Sequence, residues 1–344
     1  MVELREQQTG LNELDMPVYE SLQRMGLYTS GGEIHLCPLS GGVSSLILRV
    51  DADGRRYCYK QSLAKLKVAA DWYAPVDRNH AEVEWMRCVH DILPGITPLV
   101  LGEDCDSHAF AMTYHDPAQF PLWKTDLQTG KVNPQVAVDL ANAMVALHSQ
   151  TAKHANLAKQ FANAPLFHAL RIEPYLLATA RAHPDVAEKL IRLALQTAAA
   201  RIALIHGDVA PKNLLIGGPH GVILLDAECA TYGDPAFDLG FCLNHLMLKM
   251  AARLGDAPLL RESAIRMVKA YRTRIDWEPL DRFDARLIDL LPALMLARID
   301  GKSPVEYLDE VARGRVRSFA RAAIIAPPET FEELSLRWIA QVRL

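Results

Sequence analysis

The sequence predicts an α+β fold in which a small antiparallel sheet with one helix is followed by a larger, mainly helical lobe. Two observations predict it. Between Ile34 and Met112 the chain shows short β-rich runs separated by turn residues. From Pro134 onward, apolar residues recur at helical spacing instead. Because 344 residues suffice for two domains, we expect an N-terminal lobe of residues 1–112 and a C-terminal lobe of residues 113–344.

The first lobe is predicted to contain four or more strands and one helix. Two β-rich runs flank the turn DADG at residues 51–54, which predicts a hairpin. Apolar residues at helical spacing predict a helix over Arg78–Leu93, ended by the Pro-Gly pair that follows it. Two further strands are expected around the acidic turn near residue 105.

The second lobe is helical with one short β interruption. The segment NLLIGGPHGVILLDAE, residues 213–228, has two apolar runs joined by a Gly-Pro-His-Gly turn and therefore predicts a second hairpin. Such a hairpin presents the polar residues at its two ends together.

Composition excludes several classes of protein. A net charge of -4 and a pI near 6.3 give no positive field for nucleic acid or an anionic membrane. The six cysteines are scattered, without the paired spacing of a zinc site. The N-terminus lacks the basic start of a signal peptide, and no apolar run approaches the ~20 residues of a membrane span. We expect a cytoplasmic monomer or homodimer without nucleic-acid or membrane partners.

The residues that carry chemistry follow His206 in the segment HGDVAPKN. Asn213 lies five residues after Asp208, and Asp226 follows thirteen residues later at the end of an apolar strand. Phosphoryl transfer needs a carboxylate near the attacking hydroxyl and oxygen ligands that hold Mg²⁺ across the β and γ phosphates. Two Asp and one Asn in this order provide those groups.

This segment resembles the catalytic and metal-binding loops of the aminoglycoside phosphotransferase family, which includes choline and methylthioribose kinases. The resemblance implies a protein-kinase-like bilobal fold with ATP and Mg²⁺ as cofactors. It implies Asp208 as catalytic base, Lys212 as a contact to the γ-phosphate, and Asn213 and Asp226 as Mg²⁺ ligands. Glu228 completes an Asp-x-Glu pair and is a candidate ligand of a second Mg²⁺.

The family pattern also requires a lysine on the third strand and a glutamate on the following helix, because the phosphates need a positioned cation. Lys60 fits the first position, with Lys65 and Lys67 as competitors. We prefer Glu82 to Glu84 as its partner. Glu82 precedes two apolar residues of the helix by four and seven positions, so its side chain lies beside the apolar stripe.

Two further nucleotide contacts are implied by the same resemblance. A hinge that meets the adenine is placed at Met112 to Tyr114. A turn over the phosphates is placed in SGGVSS, where small residues allow close approach of the backbone, although an ordinary hairpin explains the same pattern. The residues of this candidate phosphate turn are Ser40, Gly41, Gly42 and Ser44.

Supporting residues surround the catalytic loop. His206 is expected to organise the loop, and Asp238 resembles the buried helix carboxylate that braces its backbone; Asp234 continues the same pattern. The interval from Asp226 to Asp238 is 12 residues (238 minus 226). It leaves no room for the long segment with which protein kinases bind peptides, and it favours a small acceptor.

The acceptor pocket is the least determined part. The segment Arg298–Leu308 belongs either to this pocket or to a helix start, since Ser303 and Glu306 have capping-box spacing. Polar and aromatic residues in the connections of the helical lobe are the other candidates: Trp123, Lys124, Arg171, Glu173 and Tyr175.

The sequence therefore predicts a small-molecule kinase that transfers the γ-phosphoryl group of MgATP, bound between the lobes, to a hydroxyl of a sugar-like or amino-alcohol-like metabolite. Two alternatives remain. One is an aminoglycoside-modifying kinase, which the absence of a carboxylate cluster disfavours. The other is a nucleotide-binding pseudokinase, which the intact set of Lys60, Asp208, Asn213 and Asp226 disfavours.

Overall fold

The structure is a computed structural model that describes residues 16–39, 45–63 and 78–343. The described residues form two units. One contains the residues up to Val83 together with Leu99–Tyr114. The other contains Glu84–Pro98 and the described residues from His115 onward.

The first unit is built on a five-stranded antiparallel sheet. Its elements, with the helix α2 that continues into the second unit, are α1 (Met16–Arg24), β1 (Ile34–Pro38), β2 (Ser45–Ala52), β3 (Arg55–Ser62), α2 (Arg78–Ile92), β4 (Val100–Asp104) and β5 (Ala109–Thr113). The strand order is β1-β2-β3-β5-β4.

Alternation of side chains along the strands gives this sheet one apolar face. Val18 and Leu22 of α1 pack there in one buried cluster with Leu48, Val50 and Tyr59 of the sheet. The predicted hairpin at DADG is confirmed, since β2 and β3 pair directly around it. Asp53 and Gly54 both have positive φ, as a tight two-residue hairpin turn requires.

The second unit is mainly helical. A π-helix (His168–Leu177) and a 3-10 turn (Pro211–Asn213) interrupt its regular elements. In chain order these are α3 (Trp123–Gln128), α4 (Pro134–Thr151), α5 (Ala155–Gln160), α6 (Ala164–Phe167), α7 (Ala178–Ala182), α8 (Ala187–Ala199), β6 (Ala203–Ile205), β7 (Leu214–Ile216), β8 (Val222–Leu224), β9 (Thr231–Gly233), α9 (Pro235–Ala252), α10 (Ala257–Arg272), α11 (Leu280–Asp300), α12 (Glu310–Ile325) and α13 (Phe331–Arg343).

Helix α9 forms the centre of this unit. It begins with Asp234 as N-cap and proline at its first position, the arrangement that favours a helix start. Every residue from Pro235 to Ala251 is buried, because α10, α11, α12 and α13 all pack against it. A helix that is buried on all sides holds its polar side chains in fixed places.

Two short strand pairs lie beside these helices. β6 pairs with β9, and β7 pairs with β8, which confirms the predicted second hairpin. The helix start proposed for Ser303 and Glu306 is wrong, because α12 begins at Glu310 and Asp309 caps it by accepting from the Ala312 amide. Within the described part of the chain, no helix combines the length and apolarity that crossing a bilayer requires.

Candidate active site

The loop between β6 and β7 carries the HGD segment in a fixed backbone conformation. Gly207 has φ of 76°, in the left-handed region that favours glycine. A Cβ at this position would lie 2.6 Å from the carbonyl oxygen of Cys229. Glycine is therefore required both by the backbone conformation and by the close approach of a neighbouring segment.

The carboxylate of Asp238, at the start of α9, accepts hydrogen bonds from the backbone of this loop. One carboxylate oxygen accepts from the His206 amide and the other from the Gly207 amide, each at 2.8 Å. His148 of α4 lies 3.3 Å from the same carboxylate through Nε2, and its Nδ1 lies 2.6 Å from the Tyr271 hydroxyl. All these side chains are buried, so the loop is tied to three helices of the same unit.

The ring of His206 connects the loop to Leu225, the residue that follows β8. Its Nδ1 accepts from the Asp208 amide at 3.1 Å, so its Nε2 carries the proton and donates to the carbonyl of Leu225 at 3.0 Å. Burial lowers the pKa of this imidazole, which keeps it neutral. Trp85 meets the ring edge-on at 5.0 Å between centroids. His206 thus has a structural function in this arrangement.

The carboxylate of Asp208 is buried and surrounded by donors. Its Oδ2 accepts from Lys212 Nζ at 2.9 Å and from Asn213 Nδ2 at 2.8 Å. Its Oδ1 lies 2.9 Å from Nη2 of Arg171. Burial opposes its charge, but Arg171 and Lys212 outweigh burial and lower the pKa of the carboxyl below its usual value. Asp208 is therefore held ionised and in one orientation.

Arg171 comes from the π-helix, 37 residues before Asp208 (208 minus 171). Its Nε donates to the carbonyl of Gly207 at 2.7 Å, and Nη1 donates to the carbonyl of Leu170 at 2.7 Å. The guanidinium also lies over the rings of Tyr175 and Phe241, at 5.7 and 5.4 Å from their centroids. The arginine therefore contacts both the backbone and the carboxylate of the HGD loop.

Side-chain oxygens that suit a hard cation as ligands also lie near Asp208. Asn213 donates its amide nitrogen to the carbonyl and carboxylate of Asp208, which leaves its amide oxygen for other partners. Lys212 Nζ lies 3.6 Å from Asp226 Oδ2, and Asp226, the second residue after β8, adopts φ of 66°. Glu228 lies close enough to Arg171 to raise the pKa of the guanidinium.

The first unit contains a buried ion pair. Lys60 Nζ of β3 lies 2.9 and 2.7 Å from the two carboxylate oxygens of Glu82 on α2, and both side chains are at most 3% exposed. Glu84, the alternative partner, instead accepts from Gln160 and pairs with Arg87. The helical spacing that favoured Glu82 agrees with this geometry.

Two other predicted nucleotide contacts are the hinge and the candidate phosphate turn. Met112 lies in β5, and the first unit ends at Tyr114, where the hinge was expected. The candidate phosphate turn, with Ser40, Gly41, Gly42 and Ser44, lies outside the described part of the chain, as do the competing Lys65 and Lys67.

The predicted acceptor residues differ in their burial and in their partners. Trp123 is 1% exposed, whereas Lys124 is on the surface. Glu173 pairs with Arg181 and Lys302 at 2.6 and 2.7 Å. The remaining two, Arg171 and Tyr175, lie together beside Asp208 and Phe241.

Asp234 has a structural partner rather than a site contact. It caps α9 and pairs with Arg286 of α11 at 2.8 Å. Sequence reasoning missed the residues of α9 that continue from Asp238 toward the helix end. Their signal was present in the spacing of Phe241, His245 and Lys249, which recur every four residues on one helix face.

Comparison with known proteins identifies the family of the chain. The profile of the phosphotransferase enzyme family matches residues 35–262, more than half of the chain. Methylthioribose kinase of Yersinia enterocolitica is 26% identical over 269 residues, which cover 70% of this chain and 66% of that kinase. The kinase of the same name from Pectobacterium atrosepticum is 24% identical over 290 residues, covering 73% and 68%. The match thus spans about two thirds of the length of these relatives.

Solved structures show the same fold at low identity. Ethanolamine kinase of Plasmodium vivax superposes with a TM-score of 0.51 and 14% identity, covering 97% of this chain and 89% of that one. Choline kinase of Streptococcus pneumoniae gives 0.51 and 11%, covering 92% and 100%. The predicted bilobal α+β fold and the predicted family resemblance are both confirmed. By the match over residues 35–262, this chain belongs to the phosphotransferase enzyme family.

Proposed function

We propose that this protein is a small-molecule kinase that transfers the γ-phosphoryl group of MgATP to a hydroxyl of a metabolite. The observation that carries the proposal is the environment of Asp208. Its carboxylate is buried, ionised and fixed by Arg171, Lys212 and Asn213 on a loop whose backbone is anchored by Asp238. A fixed anion of this kind orients an attacking hydroxyl and accepts its proton late in the reaction.

The pKa of Asp208 is consistent with this role. A carboxyl whose pKa is lowered is a weak base and does not remove a proton from an alcohol in the ground state. Phosphoryl transfer passes through a loose transition state in which positioning and charge neutralisation supply most of the catalysis. In this loop, Asp208 orients the hydroxyl, and Lys212 neutralises negative charge on the γ-phosphate.

The donor set fits Mg²⁺. This ion prefers oxygen ligands and is usually bound through one or two carboxylates together with substrate phosphates. Asn213, Asp226 and Glu228 would hold the metal, because their oxygens belong to the same catalytic segment. When bound, the metal neutralises the charge that develops on the phosphates. In the first unit, Lys60, oriented by Glu82, would contact the α and β phosphates.

The acceptor class follows partly from charge. Among the described side chains, one group of three has ligand atoms close enough together to hold a single cation. It consists of His80, Glu103 and Cys105, which lie in the first unit. Near Asp208, the carboxylates of Asp226 and Glu228 are the proposed metal ligands, which leaves them unsuited to bind a polycationic aminoglycoside. We propose a sugar-like or amino-alcohol-like metabolite rather than an antibiotic.

The test is a metabolite screen with the purified protein and MgATP, read by ATP consumption and followed by mass identification of the product. We expect one class of hydroxylated metabolite to be phosphorylated, and Asp208→Asn to abolish turnover while nucleotide binding persists. Asp185→Asn serves as the matched control, because Asp185 pairs with Arg321 on an exposed surface. Stabilisation by MgATP without transfer to any metabolite would instead indicate a pseudokinase.

A further inference from the structure

Four side chains lie at three- or four-residue intervals along α9. They are Asp238, Phe241, His245 and Lys249, so they share one face of the helix. The first of them braces the catalytic loop, and Phe241 lies under the guanidinium of Arg171. This face therefore leads from Asp208 toward the end of α9 within the second unit.

Two basic side chains follow Phe241 along this face. His245 contacts the Phe241 ring at 5.5 Å between centroids and is 8% exposed. Lys249 is 5% exposed, and its Nζ lies 4.8 Å from the ring centroid of Tyr307. Within the described residues, no carboxylate lies within ion-pairing distance of Lys249. A buried ammonium without an anionic partner is costly for a folded protein.

Arg298 of α11 enters the same region. Its Nη1 lies 3.4 Å from the Tyr175 hydroxyl and donates to Ser303 Oγ at 2.7 Å. Its buried Nε has no hydrogen-bond partner among the described residues, and no carboxylate there forms an ion pair with its guanidinium. Arg298 thus provides a second cation whose donors are incompletely used.

Lys249 and Arg298 both lie near His245. Arg298, Lys249 and Lys212 all lie close enough to disfavour its protonation, and Asp208 is the one anion in this set. Asp208 is already neutralised by Arg171 and Lys212. Asp226 lies near Lys212 and Glu228 lies near Arg171, so it is Lys249 and Arg298 that have no ion-pair partner among the described residues.

We propose, on the basis of the function proposed above, that the acceptor carries an oxyanion in addition to the hydroxyl that is phosphorylated. Lys249 and Arg298 bind this oxyanion, and Tyr175 and Tyr307 contact the part of the acceptor that joins it to the hydroxyl. The substrate class is a hydroxylated carboxylic acid or a sugar phosphate. A cationic amino alcohol is repelled by the same residues.

The acceptor test compares four matched probes with MgATP: D-ribose, D-ribonate, D-ribose 5-phosphate and choline, followed by wider panels of each class. We expect phosphorylation of an anionic class, and the carboxylate and phosphate arms identify which oxyanion fits. If neutral sugars or amino alcohols are phosphorylated as efficiently as every anionic probe, the inference is overturned, although the proposed kinase function stands.

Variants test the assigned residues with the acceptor that the screen identifies. Loss of one charge-assisted contact predicts a rise in the acceptor KM of about 10- to 100-fold in Lys249→Met and in Arg298→Met, with a much smaller change in kcat. Arg298→Lys should recover part of the affinity. Lys269→Met on the exposed face of α10 is the control. An unchanged KM in both Met variants would refute the binding role.

A second readout does not depend on turnover. Inorganic phosphate and D-ribonate should raise the melting temperature of the wild-type protein more than that of Lys249→Met, because a ligand stabilises the state that binds it. Equal shifts in both proteins would refute the oxyanion site even if no acceptor were phosphorylated. Absence of transfer to every probe, together with unequal shifts, would refute the kinase function and leave the oxyanion site standing.

Discussion

Arg171 and Asp208 form a buried ion pair in which the arginine also holds the backbone of the loop that carries the aspartate. Nη2 of Arg171 lies 2.9 Å from Oδ1 of Asp208, and Nε donates to the carbonyl of Gly207 at 2.7 Å. Asp208 is 2% exposed and Arg171 is 6% exposed. A residue outside the catalytic motif therefore determines the orientation of the proposed catalytic carboxylate.

Replacing Arg171 should reduce both stability and turnover. Arg171→Met leaves Asp208 with one fewer buried cation, and breaking such a pair costs about 3 to 5 kcal/mol of the free energy of unfolding. Misorientation of the carboxylate should lower kcat by about 100-fold with a smaller effect on the ATP KM. Urea unfolding and steady-state kinetics provide the measurements.

Arg171→Lys separates orientation from charge. It restores the cation but cannot contact the Gly207 carbonyl and the Asp208 carboxylate in the same planar geometry. We expect most of the stability and only part of kcat to return. Full recovery of kcat in the lysine variant would show that charge alone, rather than orientation, is what Arg171 supplies.

Gly207→Ala should disable the loop. Two features oppose a side chain here: the positive φ, and the Cys229 carbonyl oxygen, which would lie 2.6 Å from the new Cβ. We therefore expect a loss of about 1 to 3 kcal/mol in the free energy of unfolding, together with a lower kcat. Gly314→Ala is the control. Gly314 lies inside α12, a Cβ there meets no atom within 4 Å, and alanine should stabilise the helix by about 0.5 to 1 kcal/mol.

Lys60 and Glu82 should affect nucleotide binding. Lys60→Met removes the cation proposed to contact the phosphates, whereas Glu82→Gln leaves that cation buried without its anion. Both variants should bind MgATP at least about 10-fold more weakly by calorimetry. Glu84→Gln should bind as the wild type does, because Glu84 is partly exposed and pairs elsewhere. Wild-type affinity in Lys60→Met would refute the proposed phosphate contact.

Lys249 should make stability depend on pH. Burial, with smaller contributions from Lys124 and Arg253, lowers the pKa of its ammonium from 10.5 to about 8. The folded protein then releases this proton at lower pH than the unfolded chain, so the stability penalty of the charge is present below about pH 8 and disappears as the pH rises toward 10.5. The stacked Tyr307 has a pKa raised to about 12 and remains neutral in this window.

The measurement compares Lys249→Met with the wild type. The variant should be more stable by about 1 to 3 kcal/mol at pH 7, with the difference decreasing between pH 8 and 10.5, because only the wild type contains the buried charge. Denaturant unfolding at a series of pH values tests this without any substrate. A variant that is less stable than the wild type throughout this range would contradict the prediction.

Much of the fold and the catalytic segment follows from local sequence patterns. The hairpin around DADG depends on residues that tolerate positive φ next to each other, and those residues are adjacent in the sequence. Asp208, Asn213 and Asp226 are likewise carried by one loop and the hairpin that follows it, so their spacing predicts their proximity. Glu82 differs from Glu84 in its position relative to the apolar stripe of a single helix.

The sequence alone therefore determined the two kinds of lobe, the two hairpins and the residues of the HGD and Asp-x-Glu segments. Only the tertiary structure brought Arg171 to Asp208 and brought Arg298 and Lys249 into one region, since these residues come from separate helices. Side-chain partners across helices depend on helix register and packing, which short-range sequence periodicity does not specify. For the same reason, the burial of Lys249 without an anionic partner among the described residues became visible only in the folded chain.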